Sequence, residues 1–282
     1  MIREIRKITN PNLDFTKLKE QHISIQLSLD GFSFCIYNKR AKEITALTTF
    51  EFESKQTVTD RQHLELIKQL FEQEPLLQPA YADVSITHCN KLVSPVPKPL
   101  FDKEQLGSYL KYTVKLLEND YITYDDIANT DMVNVYIPFV NVNNFLIDKY
   151  DVFTYKHSST VLIETLLKAY KNCEGTFCFV NVLHTHFEIV VLVDKQLKLF
   201  NSIDFNTKED FIYHLLFTAE QLSLNPEEFS LVLLGDIEKE SDLYTIAYQY
   251  IRNISFYEPD KRPVNAEKYG SKHAHFTLLN SL

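Results

Sequence analysis

The chain is 282 residues long, 45% apolar and 24% charged, with a net charge of −9; that length suits one large domain or two of ordinary size, each with a core of its own. The negative charge, with no Lys/Arg run longer than two residues, argues against nucleic acid as a partner. The longest apolar runs, such as Ile189 to Val193, are strand-sized and fall far short of the roughly 20 residues that cross a bilayer, so no membrane insertion is expected.

The opening MIREIRKITNPNLD carries scattered charges and no apolar h-region, which argues against a secretion signal. Cys35, Cys89, Cys173 and Cys178 have unrelated spacings and form no Cys-x-x-Cys pair, as expected of reduced thiols in the cytoplasm rather than of disulfides or a zinc site. Five glycines are present, where average usage of about 7% gives roughly twenty. Main chain can therefore approach a ligand closely at few places.

Residues 23 to 54 alternate apolar and polar in three stretches, which predicts a three-strand meander. Asp30-Gly31 reads as a type I′ hairpin turn, and Asn38 to Lys42 makes the second turn. Thr59 and Gln62 form a capping box ahead of a helix that buries Leu64, Ile67, Leu70 and Phe71. A strand from Tyr81 to His88 follows. The PVPKP segment, Pro95 to Pro99, reads as extended polyproline II, either a stiff connection or a ligand for an aromatic groove. Asp102 then caps a helix with Leu106, Leu110, Val114 and Leu117 inward. Val133 to Phe139 and Val152 to Tyr155 read as strands, with a short helix from Asn141 to Lys149 between them. Ser158 to Lys171 reads as a helix with Val161, Leu162, Thr165, Leu166 and Ala169 on its buried side.

From residue 176 the same order returns. Phe177 to Phe205 gives three strands with a turn at Asp194-Lys195. Thr207 with Asp210 opens a helix whose apolar side is Ile212, Leu215, Leu216, Ala219 and Leu222. Phe229 to Leu234 is a strand, and Ser241 or Asp242 caps a helix using Ile246, Ala247, Tyr250 and Ile251. Thr59 to Thr207 and His88 to Asp236 are each 148 positions apart, by subtraction of the numbers. Shared order and spacing together indicate an internal duplication. It divides the chain into halves of 1–155 and 156–282, with the boundary near residues 150 to 158.

Two successive units of meander plus alternating helices and strands resemble the actin-like ATPase superfamily. Its members have two ribonuclease-H-like lobes facing each other across a nucleotide cleft. The stretch VNVYIPFVNVNNFLIDKYDVFTYKHSSTVLIETLLKAY resembles the crossover of the pilus-assembly and cell-division members. SLDGFSFCIYN and the closing HFTLLNSL are similar to an uncharacterised bacterial family, a domain of unknown function with a degenerate actin-like fold. The resemblance implies an α/β fold of two lobes, each a three-strand antiparallel meander continued by alternating helices and parallel strands.

In active relatives the first hairpin reads Asp-x-Gly-Thr/Ser, the second repeats Asp-x-Gly, and a Gly-Gly turn lies against the adenosine. Here the first motif falls on Ser28-Leu29-Asp30, or can be forced onto Asp30 with Gly31. The second falls on Asn181-Val182-Leu183 and the adenosine turn on Gly235-Asp236. A phosphate cradle aims several backbone N–H groups at one anion, and a side chain such as Leu183 holds the phosphate away. Losing three charged hydrogen bonds at about 1.5–3 kcal/mol each removes roughly 5–9 kcal/mol, as much as micromolar binding supplies, about 8 kcal/mol. Asn181 also cannot supply the carboxylate that positions an attacking water.

The expectation is a non-catalytic actin-like protein, without a cofactor, that binds a protein partner or assembles. Its contact surface is the interlobe cleft or a tyrosine-rich face, with Tyr109, Tyr112, Tyr244 and Tyr248 as candidate contact residues, since tyrosine is favoured at interfaces. The alternative is a divergent ATP-binding kinase or ATPase using Asp30, Asp204 or Asp236. A weaker alternative is a metal-binding protein in which His184 and His186 project from one face of an extended strand, joined by the pair His273 and His275. Asp30 is otherwise explained by turn geometry.

Overall fold

The computed structural model describes residues 1–11, 13–53, 58–112, 114–259, 270–271 and 273–282. Strand β1 (Ile2–Thr9) precedes the meander of β2 (His22–Ser28), β3 (Gly31–Asn38) and β4 (Glu43–Phe52). Helix α1 (Asp60–Gln73) starts at the Thr59/Gln62 capping box and leads to β5 (Asp83–Cys89). Then come β6 (Val93–Pro97), α2 (Leu106–Leu110), β7 (Thr123–Asp126), β8 (Met132–Tyr136), α3 (Val140–Tyr150) and β9 (Thr154–His157). Helix α4 (Ser158–Ala169) is followed by a second meander, β10 (Thr176–Val182), β11 (His186–Val193) and β12 (Gln196–Asp204). Helix α5 (Lys208–Gln221), again behind a capping box, β13 (Ser230–Gly235), α6 (Asp242–Tyr250), β14 (Asn253–Phe256) and α7 (Phe276–Asn280) complete the order.

The two large sheets have the same plan. The first is ordered β1-β4-β3-β2-β5-β9 and the second β12-β11-β10-β13-β14. In each, the meander is antiparallel and the last two strands are added parallel. These are two ribonuclease-H-like units, as expected, with β1 as an additional antiparallel strand beside β4.

The repeat interval shows where the halves differ. The starts of β2 and β10 are 154 positions apart (176 − 22), those of α1 and α5 148 (208 − 60), and those of β9 and β14 only 99 (253 − 154). The missing length is a small sheet, β6-β8-β7, with α2, inserted between β5 and α3. The repeat's second helix is therefore α3, matched to α6, and not the helix capped by Asp102. Asp102 Oδ1 accepts the Glu104 N–H (2.9 Å) of a single 3₁₀ turn. The following helix ends at Leu110, leaving Leu117 61% exposed; Gly107 in its middle weakens it.

Two further expectations change. Pro95 and Pro97 lie in β6, the outer strand of the small sheet, where a missing N–H faces away from the ladder. At the first hairpin Ser28 pairs with Gly31, so Leu29 and Asp30 form the loop, and none of these residues has positive φ. Gly31 is needed for another reason: a Cβ there would lie 2.8 Å from the Phe50 carbonyl oxygen. The type I′ signature occurs instead at Asp194 (φ 47°) and Lys195 (φ 70°), where the second meander turns.

Helices α1 and α3 cover one face of the first sheet, packing Ile67, Leu70, Phe71, Val142 and Leu146 on Ile25, Leu27 and Phe34. Helices α5 and α6 cover the second sheet in the same way. The opposite face of the second sheet receives α4, through Leu162, Ile163 and Leu166 against Phe179, Val190 and Leu192. The opposite face of the first sheet receives α7, whose Leu278 packs on Cys35, Ile44 and Leu47. Ser24 Oγ donates to the Leu278 carbonyl (3.0 Å) and Thr87 Oγ1 meets Ser281 Oγ (2.9 Å). Helices α4 and α7 also touch each other, so the chain's last residues join the two halves. Leu278→Ala, at the end of the chain, is therefore expected to cost about 2–5 kcal/mol as a core truncation does, read from the urea midpoint; a change within experimental error would show that α7 does not hold the first sheet.

Candidate functional site

Helix α4 follows directly on β9, the last strand added to the first sheet, and His157, its N-cap, with Ser158, Ser159 and Thr160 are all buried. Such a run of polar groups is tolerated inside a protein only when its hydrogen bonds are made. His157 is the N-cap, its Nδ1 accepting the Ser159 N–H (3.1 Å) and the Ser159 hydroxyl (2.7 Å). Its Nε2 donates to the Asn90 carbonyl (3.0 Å), just beyond β5. Asp125 on β7 accepts the His157 N–H (2.8 Å), the Thr160 hydroxyl (2.8 Å) and, through its other oxygen, the Tyr136 hydroxyl (3.0 Å). Asn134 on β8 donates to Ser159 Oγ (3.1 Å) and Thr160 Oγ1 (2.9 Å). Ser158 Oγ donates to Glu188 Oε1 on β11 (3.4 Å), and Glu188 Oε2 accepts from Asn181 on β10 (2.8 Å). One helical turn thus ties together all three sheets.

Burial sets the protonation of this network. It drives the His157 imidazole down to about 3, which keeps the neutral form that can accept at Nδ1 while donating at Nε2. Burial pushes Glu188 up to about 7, against the opposing hydrogen bonds from Asn181 and Ser158. Asp125 is raised for the same reason, with the His157, Thr160 and Tyr136 bonds opposing.

The hairpins singled out from sequence end at this network. Ser28 Oγ donates to Asp30 Oδ1 (2.6 Å), and the Asp30 carbonyl accepts the Phe52 N–H (2.8 Å). Asn181 is engaged by Glu188. The Leu183 N–H donates to the His186 carbonyl (2.9 Å), the Gly235 N–H to the His273 carbonyl (3.0 Å), and the Asp236 N–H to the Val182 carbonyl (2.8 Å). Gly235 has φ +80°, and a Cβ there would lie 2.1 Å from Val182 O and 2.7 Å from Asn181 Oδ1. The glycine is required by the close pass of β10. His186 feels the charges of Lys91, Asp30 and Asp204, so the hairpin ends of the two halves lie near one another. Between the halves Lys91 Nζ contacts both oxygens of Asp204 (2.6 and 2.7 Å), and His184 Nε2 lies 3.4 Å from Glu51 Oε1. Exposed pairs of this kind contribute about 0–1 kcal/mol each, so they add little to what the buried network holds.

The histidines do not share a strand face. His184 sits in the bend before β11, whose first residue is His186, because the Leu183–His186 bond closes a tight loop there. His273 Nε2 bonds the Ile237 carbonyl (2.6 Å), and His275 Nε2 is 3.5 Å from Arg6 Nη1. Among the described residues no three His, Cys, Asp or Glu side chains are grouped to hold a metal ion. Two surface hollows lie elsewhere: about 220 Å³ beside Tyr248, Tyr250 and Arg252, and about 330 Å³ beside Lys17, Gln21 and Arg40. Tyr112 and Tyr248 are 85% and 66% exposed. Tyr109 instead bonds the Leu100 carbonyl and the Asp102 N–H (both 2.7 Å), and Tyr244 stacks on Phe256. The sequence pattern starts this helix at Ser158 and assigns no site role to Glu188 or to the helix's first turn. The one available signal was a lone carboxylate inside the apolar run FEIVVLV.

The family described as "Protein of unknown function (DUF3822)" matches residues 10–254. The chain belongs to the DUF3822 family. No curated protein matches it. A solved Bacteroides thetaiotaomicron protein, described as having an actin-like ATPase fold and unknown function, is 26% identical, with a TM-score of 0.76 over 91% of this chain and 97% of that one. The type IV pilus biogenesis complex PilM-PilN contains a chain 10% identical, with a TM-score of 0.56 over 94% of this chain and 98% of that one. This DUF3822 chain therefore has the actin-like ATPase fold. No helix among the described residues is long and apolar enough to cross a membrane.

The raised Glu188 group gives a signed pH dependence. A carboxyl held near 7 in the folded state and near 4.5 unfolded stabilises the fold below the lower value, and that contribution is lost as pH rises through 7. Glu188→Gln, which imitates the protonated acid, is expected to raise stability at pH 8.5 by an amount on the order of 3 kcal/mol and to change little at pH 4.5. Thermal unfolding of both proteins across that range checks this; an equal loss at both pH values would contradict it.

Proposed function

We propose that this protein is a non-catalytic, actin-like binding or assembly module whose nucleotide-binding motifs have been lost. The observation that carries the reading is the use of main-chain amides. At the turns aligned with phosphate and adenosine contacts, the Leu183, Gly235 and Asp236 N–H groups already donate to carbonyls of the chain itself. A phosphate cradle needs several such groups free and converging on one anion.

The side chains support the same reading. Asn181 spends its amide on Glu188, Asp204 is bound by Lys91, and Asp30 accepts from Ser28. A kinase or ATPase using Asp30, Asp204 or Asp236 would have to release these contacts and gather carboxylates around a metal ion. Beside them the buried network at the start of α4 engages Asn181 through Glu188, although Asn134 Oδ1 in the same network has no partner among the described residues.

For the binding role, Tyr112 and Tyr248 offer large exposed aromatic surfaces, together with Tyr213, Phe217 and Tyr250. Exposed rings with polar tips suit a protein partner. PilM, which shares the fold, occurs in a complex with PilN, a precedent for this fold in a protein assembly. Calorimetric titration of the full chain with ATP and Mg²⁺ tests the proposal: no heat of binding is expected, and micromolar affinity that disappears on Asp30→Asn would establish the nucleotide reading instead.

A further inference from the structure

A sheet edge presents unpaired N–H and C=O groups, and proteins guard such edges with charge, shortness or a covering element. The two large sheets have four edges, and three are guarded. Strand β1 carries Arg3, Glu4, Arg6 and Lys7 in eight residues. Strands β9 and β14 have four residues each. The fourth edge is β12, nine residues long, with Lys198 and Asp204 as its charged side chains and Leu197, Leu199, Phe200 and Ile203 half-buried.

The internal repeat makes this edge conspicuous. Strand β12 corresponds to β4, and β4 is covered by β1 in an antiparallel pairing that runs from Ile2 with Phe52 to Thr9 with Ala46. Among the described residues no strand takes that place beside β12. The Ser202 N–H, turned away from β11, is held by the neighbouring Asn201 side chain (2.9 Å). A bulge confined to Lys198 leaves Leu199 to Asp204 regular.

We infer that β12 is an assembly edge that pairs antiparallel with β12 of a second copy, about a twofold axis at Asn201. A twofold axis that crosses the strand at right angles makes the two copies antiparallel, the direction in which β1 already adds to the matching edge. Centred on Asn201, the register sets Leu199 against Ile203, and Phe200 and Ser202 exchange main-chain hydrogen bonds. Lys198 then flanks Asp204 at each end, so opposite charges meet where like charges would oppose pairing. The two five-stranded sheets become one sheet of ten strands. This deepens the assembly-module reading by naming the partner as a second copy of the chain.

At a non-hydrogen-bonded position the two Asn201 Cα atoms would be about 4.5 Å apart, within disulfide reach. Sedimentation of the full chain at rising concentration is expected to show a monomer–dimer equilibrium, weakened about tenfold or more by Lys198→Asp, which opposes Asp204 with a like charge. Under mild oxidation Asn201→Cys is expected to give a covalent dimer about tenfold faster than Gln249→Cys on exposed α6, the rate following proximity. A monomer at every concentration, or equal cross-linking of the two variants, would overturn the pairing. Indifference to ATP in the same preparation would leave the parent reading standing.

Discussion

The first turn of α4 is the constraint on which the arrangement of the halves depends. His157 to Thr160 reach Asn90 beyond β5, Asp125 and Asn134 in the small sheet, and Glu188 in the second sheet. Because the turn is buried, each bond is made in a poorly solvated setting where a missing partner costs about 1–3 kcal/mol. The network is therefore cooperative in both directions: satisfied, it fixes the sheets relative to one another, and moving any sheet strands groups on the others. His157 contributes only as the neutral imidazole, and its burial maintains that form.

This placement bears directly on function. Near the hairpins the chain's own polar side chains bond one another, and the Leu183, Gly235 and Asp236 amides turn to its own carbonyls. The surviving glycines serve the sheets: Gly31 lets the Phe50 carbonyl pass, and Gly235 lets β10 pass. Close backbone packing accounts for both glycines without a ligand. On the proposed reading, recognition falls to the outside of the molecule, with its exposed tyrosines and the β12 edge.

Much of the fold could be read from the sequence because its elements are strongly periodic. The two meanders, both capping boxes and the turn at Asp194-Lys195 follow from alternation and cap chemistry. Strand β1 was hidden by its charges, which are there because it is an edge. The matching of α3 to α6 was hidden by the inserted small sheet, which broke the spacing. Helix α7 is one turn long and gains its stability from Leu278 on the first sheet, a long-range contact that no local pattern reveals. The candidate site was half visible. Ser28, Asp30, Asn181, Leu183 and Gly235 were singled out by resemblance to the actin-like motifs, but their partners, Glu188 and the start of α4, come from distant segments and include residue types that also make ordinary caps.

The most direct test of the proposal that the two halves are held together without a nucleotide is the distance between them in solution. Spin labels carried by non-natural amino acids at Gln69 on α1 and Glu220 on α5, both exposed, report it without disturbing the cysteines. The account predicts one narrow distance distribution, identical with and without millimolar Mg²⁺-ATP. Two populations in the free protein, or a shift on adding nucleotide, would contradict it.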